Sequence, residues 1–473
     1  MSTTTSAHAT PPIALQLARV LAGITLDQAS AAAKKAATWG LIDTVGVALL
    51  GATEPAVAVL KHTLDGQLAP GGALLLGGRT RAGVLDAALV NGTAAHAADY
   101  DDMARMMGGH PSVPLVPVVL ALGEALDVSG AQALEAYMVG FEAECRIGRV
   151  VNPHHYEQGW HPTATLGVFG AAAAAARLMG LDVAQTANAL CIAASMASGI
   201  KANFGTMVKP FHVGHCARNG LFAAQLAAKG FTSNPLALEH PQGFFASYDG
   251  LANVHTERML AHAGTRLEVE QPSVGLKQFP CCGSTHPAIR AMLALVRDGL
   301  TAADVVSIEV QTNRRRLPHT HNPDPQSGLA AKFSIQYVTA RALASGTVQL
   351  QNFEGSAHRD PQVRALMALT SVIAYPTVAN EDPNDNGNEF AADIAVTTHD
   401  GRVLHSSAPH ALGRGGEDAM TEPEMWEKYS DCAGRLLPAD QVSSSFAMLR
   451  AIENCTSLRQ FTRLLETGNA TEA

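Results

Sequence analysis

Two stretches of this chain, His161–Ala176 and Val183–Ile200, run without a single Asp, Glu, Lys or Arg and are rich in alanine. At helical spacing they are apolar on nearly every face, and a helix of that kind has to be enclosed by other helices. Both also contain Thr, Gly and either Ser, Asn and Gln or His. They are therefore expected inside a globular core rather than across a bilayer. The rest of the N-terminal half supplies partners. Ala29–Leu49 carries apolar residues at helical spacing with Lys34 and Lys35 on the other face, and Gly51 reads as its stop. Further helices are predicted near Val84–Ala98, Val113–Ala125, Gly130–Val150, Thr163–Met179, Val183–Ser198 and His212–Lys229. Ala73–Leu76, ahead of Gly77-Gly78, reads as a strand or hairpin. A composition of 47% hydrophobic against 16% charged residues suits the large core that such a bundle needs.

The pattern changes after about Thr265. Val305–Gln311 alternates and is rich in β-branched residues, as a strand is. Phe390–Thr398 and Arg402–Ser406 read as a hairpin turning at His399-Asp400-Gly401. Helices are predicted at Ser284–Asp298, Phe333–Ala344 and Pro361–Leu369, and helical pattern resumes at Pro423–Ala433 and Ala439–Leu465. The expected architecture is mainly α with an α+β insertion. Residues 1–265 and 408–473 form a helical domain from both chain ends, and residues 266–407 form a smaller α+β lid. Ala379–Asn388 is the most loop-like stretch.

A net charge of −9 without a basic stripe argues against nucleic-acid binding; the triplet Arg314-Arg315-Arg316 reads as a solvated turn. Seven scattered cysteines do not form a disulfide framework and suit a reducing cytoplasm. The polar Met1–Pro12 lacks the order of a signal peptide. No membrane association is expected.

Four polar clusters interrupt the apolar pattern. The first holds Asn91, Thr93, His96, Asp99-Tyr100-Asp101-Asp102 and His110-Pro111-Ser112. Three carboxylates within four residues repel one another unless something offsets them. They make either an exposed acidic turn or the wall of a shaped pocket. Carboxylates and histidines also suit divalent metals, but no ligand spacing such as HExxH occurs, and no metal is expected. His161-Pro162 opens an apolar helix, whose free N–H groups suit a carboxylate ligand; otherwise His161 caps or packs. Lys209, after Met207-Val208 and before Pro210, is either a snorkelling surface lysine or a desolvated cation awaiting an anion. His212 and His215, three apart, suit one pocket histidine and one packed histidine.

The fourth cluster is Cys281-Cys282-Gly283-Ser284-Thr285-His286, in the inserted module. Adjacent cysteines are badly spaced for zinc. A cysteine nucleophile beside His286 and a glycine turn presenting Ser284, Thr285 and His286 are the two readings. Tyr337 is either packed or a hydroxyl donor. No nucleotide-binding glycine loop is present, and Gly413–Gly416 reads as a loose turn.

Taken in order, NGTAAHAADYDD, GHPSVPLVPVVLALGEAL, GWHPTATLGVFGAAAAAARLMGL, MVKPFHVGHCARNGLFAAQLAAKGF, QFPCCGSTHPAI and the tail Pro423–Tyr429 resemble the MmgE/PrpD family across nearly the whole chain. Its members include 2-methylcitrate dehydratases, cis-aconitate decarboxylases and iminodisuccinate epimerase. The resemblance implies a homodimer, a small polycarboxylate substrate and no cofactor. It also implies catalytic residues Asp99, His110, His161, Lys209 and His286, with Lys209, His161 and His286 binding substrate and Tyr337 and Met103 as further contacts. Met103 stands where the decarboxylase branch has threonine, and the interval from Asp99 to His110 is one residue longer than in that branch.

Chemistry beside a carboxylate passes through an enolate-like intermediate, which preorganised cations and donors stabilise. Lys209 and His161 are expected to hold carboxylates, with His286 completing the pocket on closure. His110 is expected as acid/base, with Asp99 as its orienting partner or a second base. The readings that follow are a lyase that dehydrates or decarboxylates, an epimerase working through the same intermediate, and a non-catalytic polycarboxylate binder.

Overall fold

The computed structural model describes residues 10–271, 274–314, 316–376, 391–409 and 419–468. The Ala379–Asn388 loop, the Gly413–Gly416 turn, Arg315, Phe390 and most of the Met1–Pro12 segment lie outside them. The chain divides into two compact units, Met1–Gly275 with Gly413–Ala473, and Leu276–Leu412.

The first unit is built of helices, and its centre is the alanine-rich stretch. Every residue from Gly167 to Ala176 of the Gly167–Leu178 helix is buried. Around it stand helices Ala31–Gly51, Val84–Ala97, Val116–Leu126, Gly130–Val151, Val183–Ala194 and Val208–Ala228. Side chains satisfy several starts. Ser30 accepts from the Ala33 N–H, while Ser129/Gln132 and Asp182/Gln185 form reciprocal capping boxes. The helices approach through glycine. A Cβ on Gly92 would lie 2.8 Å from the Gly214 Cα, so Val84–Ala97 and Val208–Ala228 cross backbone to backbone. This crossing brings the C-terminal end of the first helix, with His96, toward the N-terminal end of the second, with Lys209 and His212.

Several boundaries differ from the sequence pattern. His161–Met179 is not one helix: a single turn, Pro162–Thr165, precedes the long helix that starts at Gly167. The Val208–Ala228 helix begins four residues earlier than its periodicity suggests, placing Lys209 in its first turn. Pro210 is tolerated there because first-turn N–H groups have no intrahelical partner. Gly51 is the last residue of its helix and packs against Ala94, so its role is close approach rather than termination.

The change of unit falls later than the shift in composition, at 275/276 and 412/413. Arg149 binds Glu268 through two nitrogens at 2.6 and 2.9 Å, and the Glu268 N–H donates to Glu142 at 2.7 Å. Val274–Gly275 then pairs antiparallel with Met103–Ala104. These contacts keep residues 266–271 and 274–275 with the helical unit.

The second unit holds a four-stranded sheet in the order Thr370–Ala374, Val305–Thr312, Ala392–Thr398, Val403–Ala408. The first pair is parallel and the others antiparallel. Ala392–Thr398 alternates buried and half-buried residues, so one face meets a core shared with helices His286–Arg297, Ile335–Ser345 and Pro361–Ala368. The hairpin turns at 399–402, with Gly401 at φ +83°. Thr370–Ala374 is a strand absent from the sequence reading. Among the described residues, no single helix is long and apolar enough to cross a membrane.

Candidate active site

The Val84–Ala97 helix stops at a turn in which Asp99 takes a left-handed conformation, φ +53°. Aspartate tolerates that region better than most residues. The reversal sends the carboxylates of the acidic run to different partners. Asp99 Oδ1 lies 2.6 Å from Lys209 Nζ. Asp101 Oδ2 lies 2.8 Å from His96 Nδ1 and 3.0 Å from His110 Nδ1. Asp102 accepts from the Ser112 N–H at 3.2 Å and its hydroxyl at 2.6 Å, and Ser112 Oγ also lies 2.6 Å from the Tyr137 hydroxyl. Asp101 and Asp102 are fully buried. The run is therefore not an exposed acidic turn; each charge has its own partner.

His110 is delivered by a tight loop. Gly108 has φ +68°, Ala104 and Gly109 form a bridge, and the His110 N–H donates to Thr163 Oγ1 at 3.1 Å. A Cβ on Gly109 would lie 2.7 Å from the Thr163 nitrogen, so no larger residue fits without moving backbone. His161, 2% exposed, precedes the Pro162–Thr165 turn. Its Nδ1 lies 3.2 Å from His212 Nδ1, and its ring stacks 5.7 Å from His96. Phe204 closes the group, 4.8 Å edge-on from His161 and 5.5 Å from Lys209 Nζ.

The structure thus brings Asp99, His110, His161 and Lys209 into one cluster of the first unit, together with His96, Asp101 and His212. Of these three, the sequence pattern offers a role only for His212, as the pocket or the packed member of the His212/His215 pair. Of the two roles expected for Asp99, orienting partner of His110 or second base, the first falls to Asp101 by proximity. Asp101 Oδ2 lies nearest the His110 Nδ1, and Asp99 Oδ1 accepts from Lys209. The available signal was a histidine in an otherwise apolar helical run just before the acidic turn. Met103 is half-buried and pairs with Gly275.

Two expected residues belong to the second unit. His286 starts the His286–Arg297 helix, buried, with Nε2 3.3 Å from the Cys281 carbonyl and Phe279 edge-on at 5.3 Å. Tyr337 is a correction. It lies in the core of that unit, its hydroxyl donating to the Asn352 carbonyl and accepting from Arg341 at 3.2 Å, so it packs rather than offering a hydroxyl to a ligand. Cys281 is buried, and burial pushes its thiol up to about 12, which weakens the cysteine-nucleophile reading.

Burial pushes His96 down to about 4 even though Asp101 opposes the shift. His161 is driven well below the ordinary histidine value by burial and by His96, Lys209, His110 and His212 around it. Burial works to raise Asp101, but the two imidazoles hold it well below the ordinary carboxylate range. Near neutral pH, then, His96 and His161 are neutral and Asp101 is charged. An ionised carboxylate only accepts, so the neutral His96 ring, hydrogen-bonded to Asp101, carries its proton on Nδ1 and leaves Nε2 unprotonated. One donor atom each of His96, Asp99 and His110 lies within 4.8 Å of the others, a set that could bind a divalent ion. With Lys209 already on Asp99, such an ion would sit against an ammonium group.

Residues 15–257 match the family model of the MmgE/PrpD N-terminal domain, and residues 279–454 match that of the MmgE/PrpD C-terminal domain. The chain is 31% identical over 390 residues to cis-aconitate decarboxylase of Homo sapiens, covering 80% of this chain and 79% of that protein. It is 30% identical over 397 residues to the Mus musculus enzyme of the same name, with 80% and 78% covered. It is 25% identical over 450 residues to cis-aconitate decarboxylase of Aspergillus terreus, with 90% of each covered.

Proposed function

The chain belongs to the MmgE/PrpD family, and from that premise we propose that it is a cofactor-independent lyase acting beside a carboxylate of a small di- or tricarboxylic acid. Decarboxylation of a cis-aconitate-like acid is the first reading, supported by the relatives' names; dehydration of a 2-methylcitrate-like acid is the other lyase reaction. One observation carries the proposal. In a chain of net charge −9, a lysine and four histidines converge on one small volume together with half-buried Asp99 on the lysine and buried Asp101 between two of the histidines.

The chemistry follows from that set. Breaking the C–CO₂ bond leaves an electron pair that is delocalised toward a neighbouring carboxylate. Lys209 and the donors of His161 and His212 stabilise the growing charge, a large catalytic term when the donors are held in place beforehand. His110 delivers the proton to carbon. Asp101 stabilises the imidazolium that precedes this transfer, and the neutral ring that remains can be reprotonated from solvent.

Met103, where the decarboxylase branch has threonine, keeps a second reading in view: epimerisation of an iminodisuccinate-type diacid through the same intermediate. Incubation with cis-aconitate, reading CO₂ release by coupled assay, tests the first reading. CO₂ release that disappears in His110→Ala supports it. A folded wild-type protein that binds aconitate without turnover rejects it in favour of a binding protein. We further propose a cytoplasmic homodimer; a monomer mass by light scattering would reject the dimer.

A further inference from the structure

The tail segment Pro423–Tyr429 has no part in the chemistry above, yet it reaches the acidic turn from more than 300 residues away. It lies in the Glu422–Ala433 helix, which begins with a capping box between Thr421 and Glu424. That helix packs on Ala31–Gly51 at Gly46, where a Cβ would stand 3.1 Å from the Tyr429 ring. The close approach carries Lys428, 5% exposed, into the interior. Its Nζ lies 2.5 Å from Asp43 Oδ1, donates to the Tyr100 carbonyl at 2.8 Å, and sits 4.1 Å over the Tyr100 ring.

A buried ion pair is weak evidence of a stabilising role, because a well-packed apolar pair often does as well. What an apolar residue cannot do is donate to the Tyr100 carbonyl. That carbonyl belongs to the peptide joining Tyr100 to Asp101, directly after Asp99 in its left-handed conformation. A non-glycine residue persists there only when its surroundings over-determine it. Fixing this peptide plane fixes the direction in which the Asp101 side chain leaves the backbone, and restrains Asp99 on the other side.

We infer that Lys428 is a positioning residue for the active site: by holding the Tyr100 carbonyl it aims Asp101 at His96 and His110, and Asp99 at Lys209. The inference rests on reading the Asp99–His110 cluster as the catalytic centre.

Three full-length variants test it: Lys428→Met, Asp43→Asn, and the two combined. The double variant removes both buried charges together, so no lone ion is left to unfold the protein, and it still lacks the donor to Tyr100. Kinetic constants are taken per folded molecule, with folding followed by circular dichroism. Selective ¹⁵N-histidine labelling reports the Nδ1 proton of His96, which resonates far downfield when bonded to a buried carboxylate, and the ring nitrogens of His110 beside it. Lys428→Met and the double variant should lose at least about 10-fold in kcat with KM within about threefold, and these signals should shift or broaden. Asp43→Asn should keep kcat within about threefold and retain the signals. The inference is overturned if the folded double variant has wild-type kcat and wild-type signals, or if Asp43→Asn loses as much as Lys428→Met. Should the wild-type protein turn over no polycarboxylate, the functional reading fails, while the histidine signals still decide the role of Lys428.

Discussion

Asp101→Asn isolates the charge that the site places behind His110. Asparagine keeps the shape of the side chain, and its carbonyl can still accept from the His96 Nδ1–H at 2.8 Å while staying 3.0 Å from the His110 Nδ1. What disappears is the negative charge facing the imidazolium that His110 becomes when it holds the catalytic proton. With charge centres about 4 Å apart and an effective dielectric of about 20, that attraction is about 4 kcal/mol. If between half and all of it is expressed in the transition state, kcat falls roughly 30- to 1,000-fold. KM should barely move, because Asp101 is fully buried behind the rings. The amide NH₂ replaces Asp101 Oδ1, a buried atom with no hydrogen-bond partner, which costs about 1–3 kcal/mol of stability. The assay is steady-state kinetics on the accepted polycarboxylate, corrected for the folded fraction by thermal denaturation. A folded Asp101→Asn enzyme within threefold of wild-type kcat would refute the reasoning.

Other perturbations follow from the same geometry. Lys209→Met should lower kcat/KM roughly 10- to 150-fold, the value of a charged hydrogen bond of about 1.5–3 kcal/mol; a change below twofold would remove Lys209 from substrate binding. Gly109→Ala should lower both the melting temperature and activity, because its Cβ meets the Thr163 backbone at 2.7 Å; an unchanged melting temperature would show that the loop has room. Stability should fall as pH drops from about 6.5 toward 4.5. His96 and His155 are held at about 4 and His161 well below its ordinary value, all by burial first, so the unfolded chain binds more protons in this window and stability rises with pH. Asp43, pushed up to about 6 by burial, works in the opposite sense between about pH 4 and 6. Glu142 and Asp249, also raised by burial, act with Asp43, while His212, His215 and His319, lowered by burial, act with the three histidines, which leaves the histidines in the majority. Melting temperatures across the window test the sum, and His96→Asn should flatten the slope; a flat wild-type profile contradicts it.

The helices and the sheet were legible because their patterns are local. Alanine-rich runs gave the central helices, and β-branched alternation and the turn at His399-Asp400-Gly401 gave Val305–Thr312 and the hairpin beside it. Thr370–Ala374 escaped because only five residues form this edge strand directly after a helix, too few for alternation to stand out. The break at Leu166 escaped because nothing in a Thr-Leu-Gly run marks it. At the site, the residue types were legible and the pairings were not. Which of three neighbouring aspartates meets His110 depends on the left-handed turn at Asp99 and on the crossing at Gly92 and Gly214, both of which are tertiary facts. Lys428 was harder still, since its partners Asp43 and Tyr100 lie hundreds of residues upstream and no local pattern marks a lysine that will be buried.

The central claim is that this cluster makes or breaks a bond beside a carboxylate. Proton NMR of the wild-type protein in D₂O with a panel of di- and tricarboxylates, run beside His110→Ala, addresses it directly, since decarboxylation, loss of water and silent hydrogen exchange each leave a distinct signature. The account predicts one of these for at least one acid in the panel, and its absence in the variant. A folded wild-type protein that leaves every acid chemically and isotopically unchanged would contradict it.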